Sequence, residues 1–286
     1  MIAAGRGDRL RHVTHTLKPL VRVGGLTLVE RVLLSLAEAR PVEVVIIVNE
    51  MSVAVKDHVT ESRTWPFAVR WIVETTPSSM HSFLRVVETL AEDGDRGPFL
   101  ISTVDTIAVP GAFGAFAAAS REPDADVTLA VTPPTDDEKP LLVRLGPDGA
   151  SVEAIGEAVR LMPNAADDNT IRLTASAKAT AVRRRFTRRR KPDTTYLAGS
   201  AADRDDVRAA RRTGIWATAG YYAVRSSVLR EADEARHDGV GALRLFFERL
   251  LARGYRLHAV PVAGGIDVDR PADVRAAETF LKQVGA

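Results

Sequence analysis

Met1-Ile2-Ala3-Ala4-Gly5-Arg6-Gly7-Asp8-Arg9-Leu10 is the stretch on which the reading of this chain turns. A short apolar stub runs into a glycine-rich loop, with Arg9 beyond it and Lys18-Pro19-Leu20 following nine residues later. Without Cβ atoms, Gly5 and Gly7 let backbone N–H groups approach an anion closely. Arg9 and Lys18 add positive charge at the same mouth, and loop amides flanked by two cations are what a triphosphate needs. Behind the loop, Val32-Leu33-Leu34-Ser35-Leu36 begins a helical pattern. Glu43-Val44-Val45-Ile46-Ile47-Val48 reads as a buried parallel strand.

A Gly-x-Gly turn after a strand fits a tight βα turn with no ligand equally well. Two specific alternatives fall away. The dinucleotide fingerprint requires a third glycine where this chain has Leu10, and no Gly-x4-Gly-Lys-Ser/Thr string occurs. The tripeptide Arg6-Gly7-Asp8 is read as chance.

With 286 residues, 45% hydrophobic and 27% charged, the chain suits one large globular domain. It contains no cysteine, which excludes disulfides, iron–sulfur clusters and thiol chemistry and leaves oxygen or histidine ligands for any metal. No apolar run of about 18 residues and no leader-like core is present, which points to a cytoplasmic protein. The net charge of +2 argues against a dedicated nucleic-acid binder unless the basic residues are clustered.

They are clustered once, at Arg183-Arg184-Arg185-Phe186-Thr187-Arg188-Arg189-Arg190-Lys191, inside a weakly periodic stretch from about 162 to 213. We read this as a solvated, flexible basic insertion held open by its own charge. The alternatives are nucleic-acid or membrane contact, for which only Phe186 and Tyr196 are near enough to stack, and a lid over an anionic substrate.

Elsewhere, short strand-like runs alternate with helical ones. Strands are expected at 44–48, 68–73, 99–105, 126–132, 219–224 and 257–262, and helices at 79–90, 112–119 and 243–251. Leu141–Leu145 and Val152–Ile155, joined by Gly146-Pro147-Asp148-Gly149, read as a β-hairpin. The rhythm gives an α/β fold: one three-layer Rossmann-like domain with a mostly parallel central sheet. No internal repeat is apparent.

Ligands of open α/β sheets bind beyond the carboxyl ends of the strands. Asp105 stands there, although a lone acid in that place equally caps the next helix. A second acidic cluster lies in Gly264-Gly265-Ile266-Asp267-Val268-Asp269-Arg270-Pro271-Ala272-Asp273. Asp267 and Asp269 alternate along an extended segment and so share a face. Asp273, at the start of the last helix, reads as a capping acid. Asp105, Asp267 and Asp269 together make a hard oxygen set suited to Mg²⁺ bound with phosphates.

The chain resembles the nucleotidyltransferases of the nucleoside-diphosphate-sugar pyrophosphorylase family, which have a glycosyltransferase-A type Rossmann-like fold. The matching strings, in order, are AAGRGDRL (3–10), KPL (18–20), GGLTLVERVL (24–33), TVDTI (103–107), TAGYYAV (218–224) and IDVDRPADV (266–274). The resemblance implies that a nucleoside triphosphate and a sugar 1-phosphate or similar phosphorylated acceptor give a nucleoside-diphosphate conjugate and pyrophosphate. It also implies Mg²⁺ as cofactor and leaves a homo-oligomer open. By position, Ala3, Ala4, Gly5, Arg6 and Gly7 would hold the nucleotide. Arg9, Lys18 and Asp105 would be catalytic, with Arg9 neutralising pyrophosphate and Lys18 bridging the reacting phosphates. Asp105, Asp267 and Asp269 would hold the metal. Thr76-Pro77-Ser78-Ser79-Met80-His81-Ser82 falls where the family reads the base, with Ser79 and Ser82 as candidates and helix N-capping as their equal alternative. Residues 1–135 would form the nucleotide half and 136–286 the acceptor half.

Three departures from the family pattern stand out. Only Met1 and Ile2 precede the Ala-Ala-Gly, so the first strand is short, which an upstream start would explain. The Arg9–Lys18 spacing is one residue shorter than usual, and the 162–213 stretch enlarges the acceptor region. His12, His15, His58, His81, His237 and His258 show no metal-ligand spacing. Trp65, Trp71 and Trp216 read as core aromatics, with stacking on an acceptor sugar as a second role for Trp216. Rival functions are a cytidylyltransferase for a phosphorylated alcohol or phosphonate, a silent nucleotide-binding regulatory paralogue, and a nucleic-acid module built on the arginine run.

Overall fold

The structure, a computed structural model, describes residues 1–5, 10, 14–92, 94–121, 124–134, 140–161 and 201–285. After Lys18, two short strands, β1 (Arg22–Val23) and β2 (Leu26–Thr27), pair antiparallel and lead into helix α1 (Leu28–Glu38). Thr27 starts that helix with a reciprocal cap. Its hydroxyl accepts from Glu30 N–H, while its own N–H donates to the Glu30 carboxylate at 2.8 Å.

Strand β3 (Glu43–Val48) is buried on both faces, as its unbroken apolar run requires. It pairs parallel with β4 (Ala68–Val73), from Glu43 opposite Ala68 to Val48 opposite Val73, through the crossover helix α2 (Ala54–Ser62). The N-terminal stub joins this pair to the rest of the sheet. Ile2 bridges in parallel to both Ile47 and Thr103, and its N–H donates to Ser102 O at 2.8 Å, while Ala3 N–H donates to Ile47 O at 2.9 Å. The short first strand is therefore central. Helix α3 (Ser79–Ala91) then leads to β5 (Phe99–Ser102) and β6 (Thr106–Ala108), and α4 (Ala112–Ala119) to β7 (Val127–Thr132).

The hairpin β8 (Leu142–Leu145) and β9 (Val152–Ile155) forms as read, followed by α5 (Glu157–Leu161). The arginine run lies outside the described residues. The last part of the expected insertion is the helix α6 (Ala201–Thr213), whose Val207 and Ala210 are buried in the main core. Strand β10 (Ile215–Val224) starts four residues earlier than expected and pairs antiparallel with β5, β7 and β8. After α7 (Ala232–His237) and α8 (Leu243–Ala252), β11 (Leu257–Pro261) pairs parallel with β7. The central order is thus β4-β3-stub-β5-β10-β7-β11, and every strand in it except β10 runs the same way. Finally β12 (Gly265–Asp267) pairs with β6 and leads into α9 (Pro271–Val284).

Alternation along β3 divides the core into two layers. Val45 and Ile47 join Phe83, Val87, Phe246 and Phe247 on one face. Val44, Ile46 and Val48 join Val29, Leu33, Phe113 and Tyr221 on the other. Phe113 stacks on Tyr221 with ring centroids 4.2 Å apart. A third cluster (Leu10, Val21, Leu28, Ile107, Val268, Leu281) seats α9 and β12 against the start of the chain, and so fixes the acids of β12 near Lys18. Trp216, 2% exposed and opposite Val143, is a core residue, so its second role as a stacking platform is set aside.

Candidate active site

The carboxyl ends of β3 and β5, with β6 and β12 beside them, bring four of the expected residues together. Lys18 opens a single 3-10 turn, Lys18–Leu20, whose Pro19 is buried. Its ammonium donates to Asp105 Oδ2 at 2.6 Å and also to Asp269 Oδ1. Asp105 lies three residues past the end of β5, and its carbonyl accepts from Val268 N–H at 3.0 Å, which ties the two acidic segments together. Val268 is fully buried, and Asp267 and Asp269 flank it on the other face, so the alternation expected of an extended segment is realised. Asp273 is the cap it was read to be: its Oδ2 accepts from the N–H groups of Asp269 and Arg270 at 2.9 and 2.7 Å, which orders the acidic strand end.

Asp267 is held by neighbours that the sequence reading did not single out. Thr106, its cross-strand partner, donates to Asp267 Oδ1 at 2.8 Å. Thr103 Oγ1 lies 3.1 Å from Thr106 Oγ1 and 3.3 Å from the carbonyl of Gly220. Gly220 has φ +77° at an irregularity of β10, and a Cβ there would lie 2.0 Å from Thr106 Oγ1. The missing side chain is the space this hydroxyl pair occupies. Asn49, at the end of β3, donates from Nδ2 to Ala4 O at 3.0 Å. A trans peptide points its C=O and N–H opposite ways, so this bond aims the Gly5 N–H away from Asn49. The buried Asn49 Oδ1 has no partner among the described residues.

Charge crowding shapes the site. Burial pulls the Lys18 ammonium down, but Asp105 and Asp269 outweigh it and hold it above its ordinary value. Burial pushes Asp105 up, and Lys18 reverses this, leaving it below the usual carboxylate range. Asp267 pairs with no cation among the described residues: desolvation and then the Asp105 charge raise it to about 7. Tyr222 is raised by burial and then by Asp267 and Asp105. Among the described residues, no three His, Asp or Glu side chains are already gathered as a metal cluster. The Lys18 ammonium sits between two of the three expected ligands.

Ser79 and Ser82 are engaged elsewhere. Ser79 Oγ accepts from Leu243 N–H at 3.1 Å, and Ser82 Oγ lies 2.6 Å from Thr76 Oγ1. Neither caps the helix: Ser78 does, by accepting from His81 N–H. Ala3 is buried in the stub and Gly5 has open space at its Cβ position. Arg6, Gly7 and Arg9 lie outside the described residues.

A glycine-bearing loop beside a lysine–aspartate centre, at the carboxyl ends of a mostly parallel sheet, defines a nucleotide-handling α/β enzyme. Residues 1–249 match the MobA-like NTP transferase domain, and the chain belongs to that family. It is a nucleotidyltransferase. Solved structures share the fold at low identity. The inositol-1-phosphate CTP transferase of T. maritima is 16% identical with a TM-score of 0.65, over 99% of this chain and 94% of that one. A glucose-1-phosphate thymidylyltransferase, named as putative, from Bacillus anthracis, solved with a sucrose, is 14% identical with a TM-score of 0.66, over 99% and 97%. A UDP-glucose pyrophosphorylase complexed with UDP-glucose is 12% identical with a TM-score of 0.63, over the same shares.

Proposed function

We propose that the chain transfers a nucleotidyl group from a nucleoside triphosphate to a sugar 1-phosphate or a similar small phosphorylated acceptor, in the cytoplasm and with Mg²⁺. The observation that carries this reading is Lys18 held between Asp105 and Asp269 beside the Ala3–Gly5 segment. An acceptor phosphate oxygen forms the new bond to the α-phosphorus, the bond to the β-phosphate oxygen breaks in line, and pyrophosphate leaves. No covalent enzyme intermediate is required, so the protein's task is positioning and charge neutralisation.

Each residue then has a part. Asn49 holds back the Ala4 carbonyl, which leaves the Gly5 N–H to face the phosphates, and by the family resemblance Arg6 and Gly7 take part in the same contact. Lys18 is the cation for the reacting phosphates, and Arg9 the one for departing pyrophosphate. Asp105, Asp267 and Asp269 would fit a hard divalent cation: all three offer carboxylate oxygens, and the first and last already meet at one cation, the Lys18 ammonium. The divalent cation would neutralise triphosphate charge when bound. Thr106 keeps Asp267 aimed while the other two acids share Lys18. Ser79 and Ser82 support the base-reading turn through the contacts they make to Leu243 and Thr76.

The test is pyrophosphate release with Mg²⁺, screening four ribonucleoside triphosphates and dTTP against sugar 1-phosphates, cyclitol phosphates and phosphorylated alcohols. The expected result is release that needs one nucleotide, one acceptor and an intact Asp105. A phosphorylated alcohol or phosphonate taken with CTP alone would select the cytidylyltransferase reading. Silence from a folded, nucleotide-binding protein would select the regulatory one.

A further inference from the structure

We infer that Lys18 is the resident cation of the carboxylate site in the free protein and gives way to a divalent cation only as the triphosphate arrives, so that metal and nucleotide binding are coupled through this one side chain. The inference rests on the nucleotidyltransferase reading and goes beyond it in saying what holds the site closed and what opens it.

Three observations lead here. First, the two acids that Lys18 holds come from different segments, Asp105 after β5 and Asp269 after β12, and its ammonium is hydrogen-bonded to both. A cation placed between these carboxylates would stand where Nζ now stands. An ammonium and a dication cannot share that position, because their mutual repulsion opposes whatever each gains from the acids. Second, the third acid is held independently. Asp267 accepts from Thr106 rather than from Lys18, so the exchange moves Lys18 and leaves the Thr103–Thr106–Asp267 arrangement in place. Third, the base of Lys18 is fixed while its head is on a long stem. Pro19 is buried and Leu17 and Leu20 pack against the core, whereas four methylenes separate the backbone from the ammonium. The head can therefore turn from carboxylate to phosphate without the loop moving.

The consequence is thermodynamic. In the absence of nucleotide, a metal ion must displace Lys18 and leave a cation without its acids. With a triphosphate present, the ammonium passes to another set of anionic oxygens and the displacement costs less. Linkage makes the effect reciprocal: whatever factor the triphosphate adds to metal affinity, the metal adds to triphosphate affinity. Couplings of this kind are typically about 5- to 150-fold.

Nucleotides chelate metals by themselves, so the decisive experiment omits them. Mn²⁺ alone is titrated into the full-length nucleotide-free protein, with free Mn²⁺ read by electron paramagnetic resonance. Lys18→Met, which removes the competing charge, is expected to bind Mn²⁺ at least about fivefold more tightly than wild type. Lys18→Gln, a polar neutral replacement, gives the same gain and guards against a Met variant that folds poorly; thermal melting is recorded for both. Lys18→Arg keeps the cation and stays at the wild-type affinity. Asp105→Asn in the Lys18→Met background abolishes the gain, which locates the ion. The inference is overturned if folded Lys18→Met and Lys18→Gln bind Mn²⁺ no more tightly than wild type. Pyrophosphate release by wild type, run in parallel, separates the two ideas. Turnover without the gain leaves the enzyme reading standing and removes the exchange. The gain without turnover on any substrate pair keeps the exchange and removes the enzyme reading.

Discussion

At the amino ends of β3 and β5 the sheet parts around a cavity of about 560 Å³, walled by Met1, Leu36, Val44, Leu90 and Phe99 with Arg70 and Arg121 among them. At the carboxyl ends, the same two strands run out into Asn49 and Asp105, beside Lys18 and the acids of β12. None of the residues expected to bind nucleotide or metal lines the cavity. The cavity and the expected chemistry sit at opposite ends of one sheet. A triphosphate entering the cavity would give up hydration among Leu36, Val44, Leu90 and Phe99, and the carboxylates of Glu43 and Asp95 there would oppose it. The other end offers the Lys18 ammonium and the Gly5 N–H to a phosphate, with carboxylates that suit a divalent cation rather than the anion itself. Charge, not volume, marks the site.

The sharpest way to break this comparison is to change the charged end and watch turnover. Asp105→Ala and Lys18→Ala should each lower the rate of pyrophosphate release by on the order of 10²–10³, about 3–4 kcal/mol of barrier. The proteins should still melt cooperatively, because both side chains lie outside the two main core clusters. Near-normal turnover from either variant would remove that residue from the mechanism. Gly220→Ala comes next. It forces a Cβ to 2.0 Å from Thr106 Oγ1 at a φ of +77°, so Thr106 must move and Asp267 loses its donor. Overpacking and strain together should cost about 1–3 kcal/mol of stability. Activity should fall as well, with a higher Mg²⁺ requirement. A variant that melts lower but keeps its Mg²⁺ dependence would show that Thr106 serves the fold alone.

How far the sequence shows this molecule depends on the separation of the partners. Apolar runs such as 43–48 and 127–132 declare buried strands locally, and the hairpin is announced by Gly146-Pro147-Asp148-Gly149. There Asp148 accepts from Ala150 and Ser151 N–H at 2.9 Å, a turn closed by its own residues. Helix α6 escaped because it is rich in charge and, among its residues of described burial, only Val207 and Ala210, three residues apart, are buried. The start of β10 escaped because Ile215-Trp216-Ala217 is only three apolar residues long, bounded by Gly214 and Thr218. In the site, Lys18, Asp105, Asp267 and Asp269 were legible as charges of the right kind in ordered strings. Their supports were not. Asn49 acts on Ala4 across 45 residues, Thr103 on Gly220 across 117, and Thr106 on Asp267 across 161. A neutral hydroxyl or amide carries no local sign of such a partner.

The cavity end offers the opposite test, one that should move stability and spare turnover. Glu38, the last residue of α1, accepts from Gly111 N–H at 2.8 Å, Phe113 N–H at 3.1 Å and Gly114 N–H at 3.2 Å, so it caps α4 from a neighbouring helix. Glu38→Ala leaves those amides to water and should cost about 1–2 kcal/mol, read as a lowered melting temperature. The rate under saturating substrates should stay within about twofold of wild type. A large loss of rate at unchanged stability would mean that the two ends are coupled, and the comparison would fail.

The smallest effect is expected at the other end of α1, as a pH dependence. Burial pushes Glu30 up, but hydrogen bonds from the Thr27 N–H and hydroxyl, with His58 nearby, more than reverse this and hold it below its ordinary value of 4.5. The sign follows from linkage. Because the folded value is depressed, Glu30's contribution is complete above about 4.5 and is lost as the pH falls through the folded value. Glu30→Gln lacks that contribution at every pH. Wild type should therefore melt higher than Glu30→Gln at pH 7, and the gap should narrow as the pH is lowered below 4.5. Thr27→Val, which deletes the hydroxyl that both donates to Glu30 and caps the helix, should narrow it too. A gap between wild type and Glu30→Gln that holds constant from pH 7 to pH 3 would show that the carboxylate's charge is not what the cap uses. The helix start would then owe its stability to shape and hydrogen bonding alone.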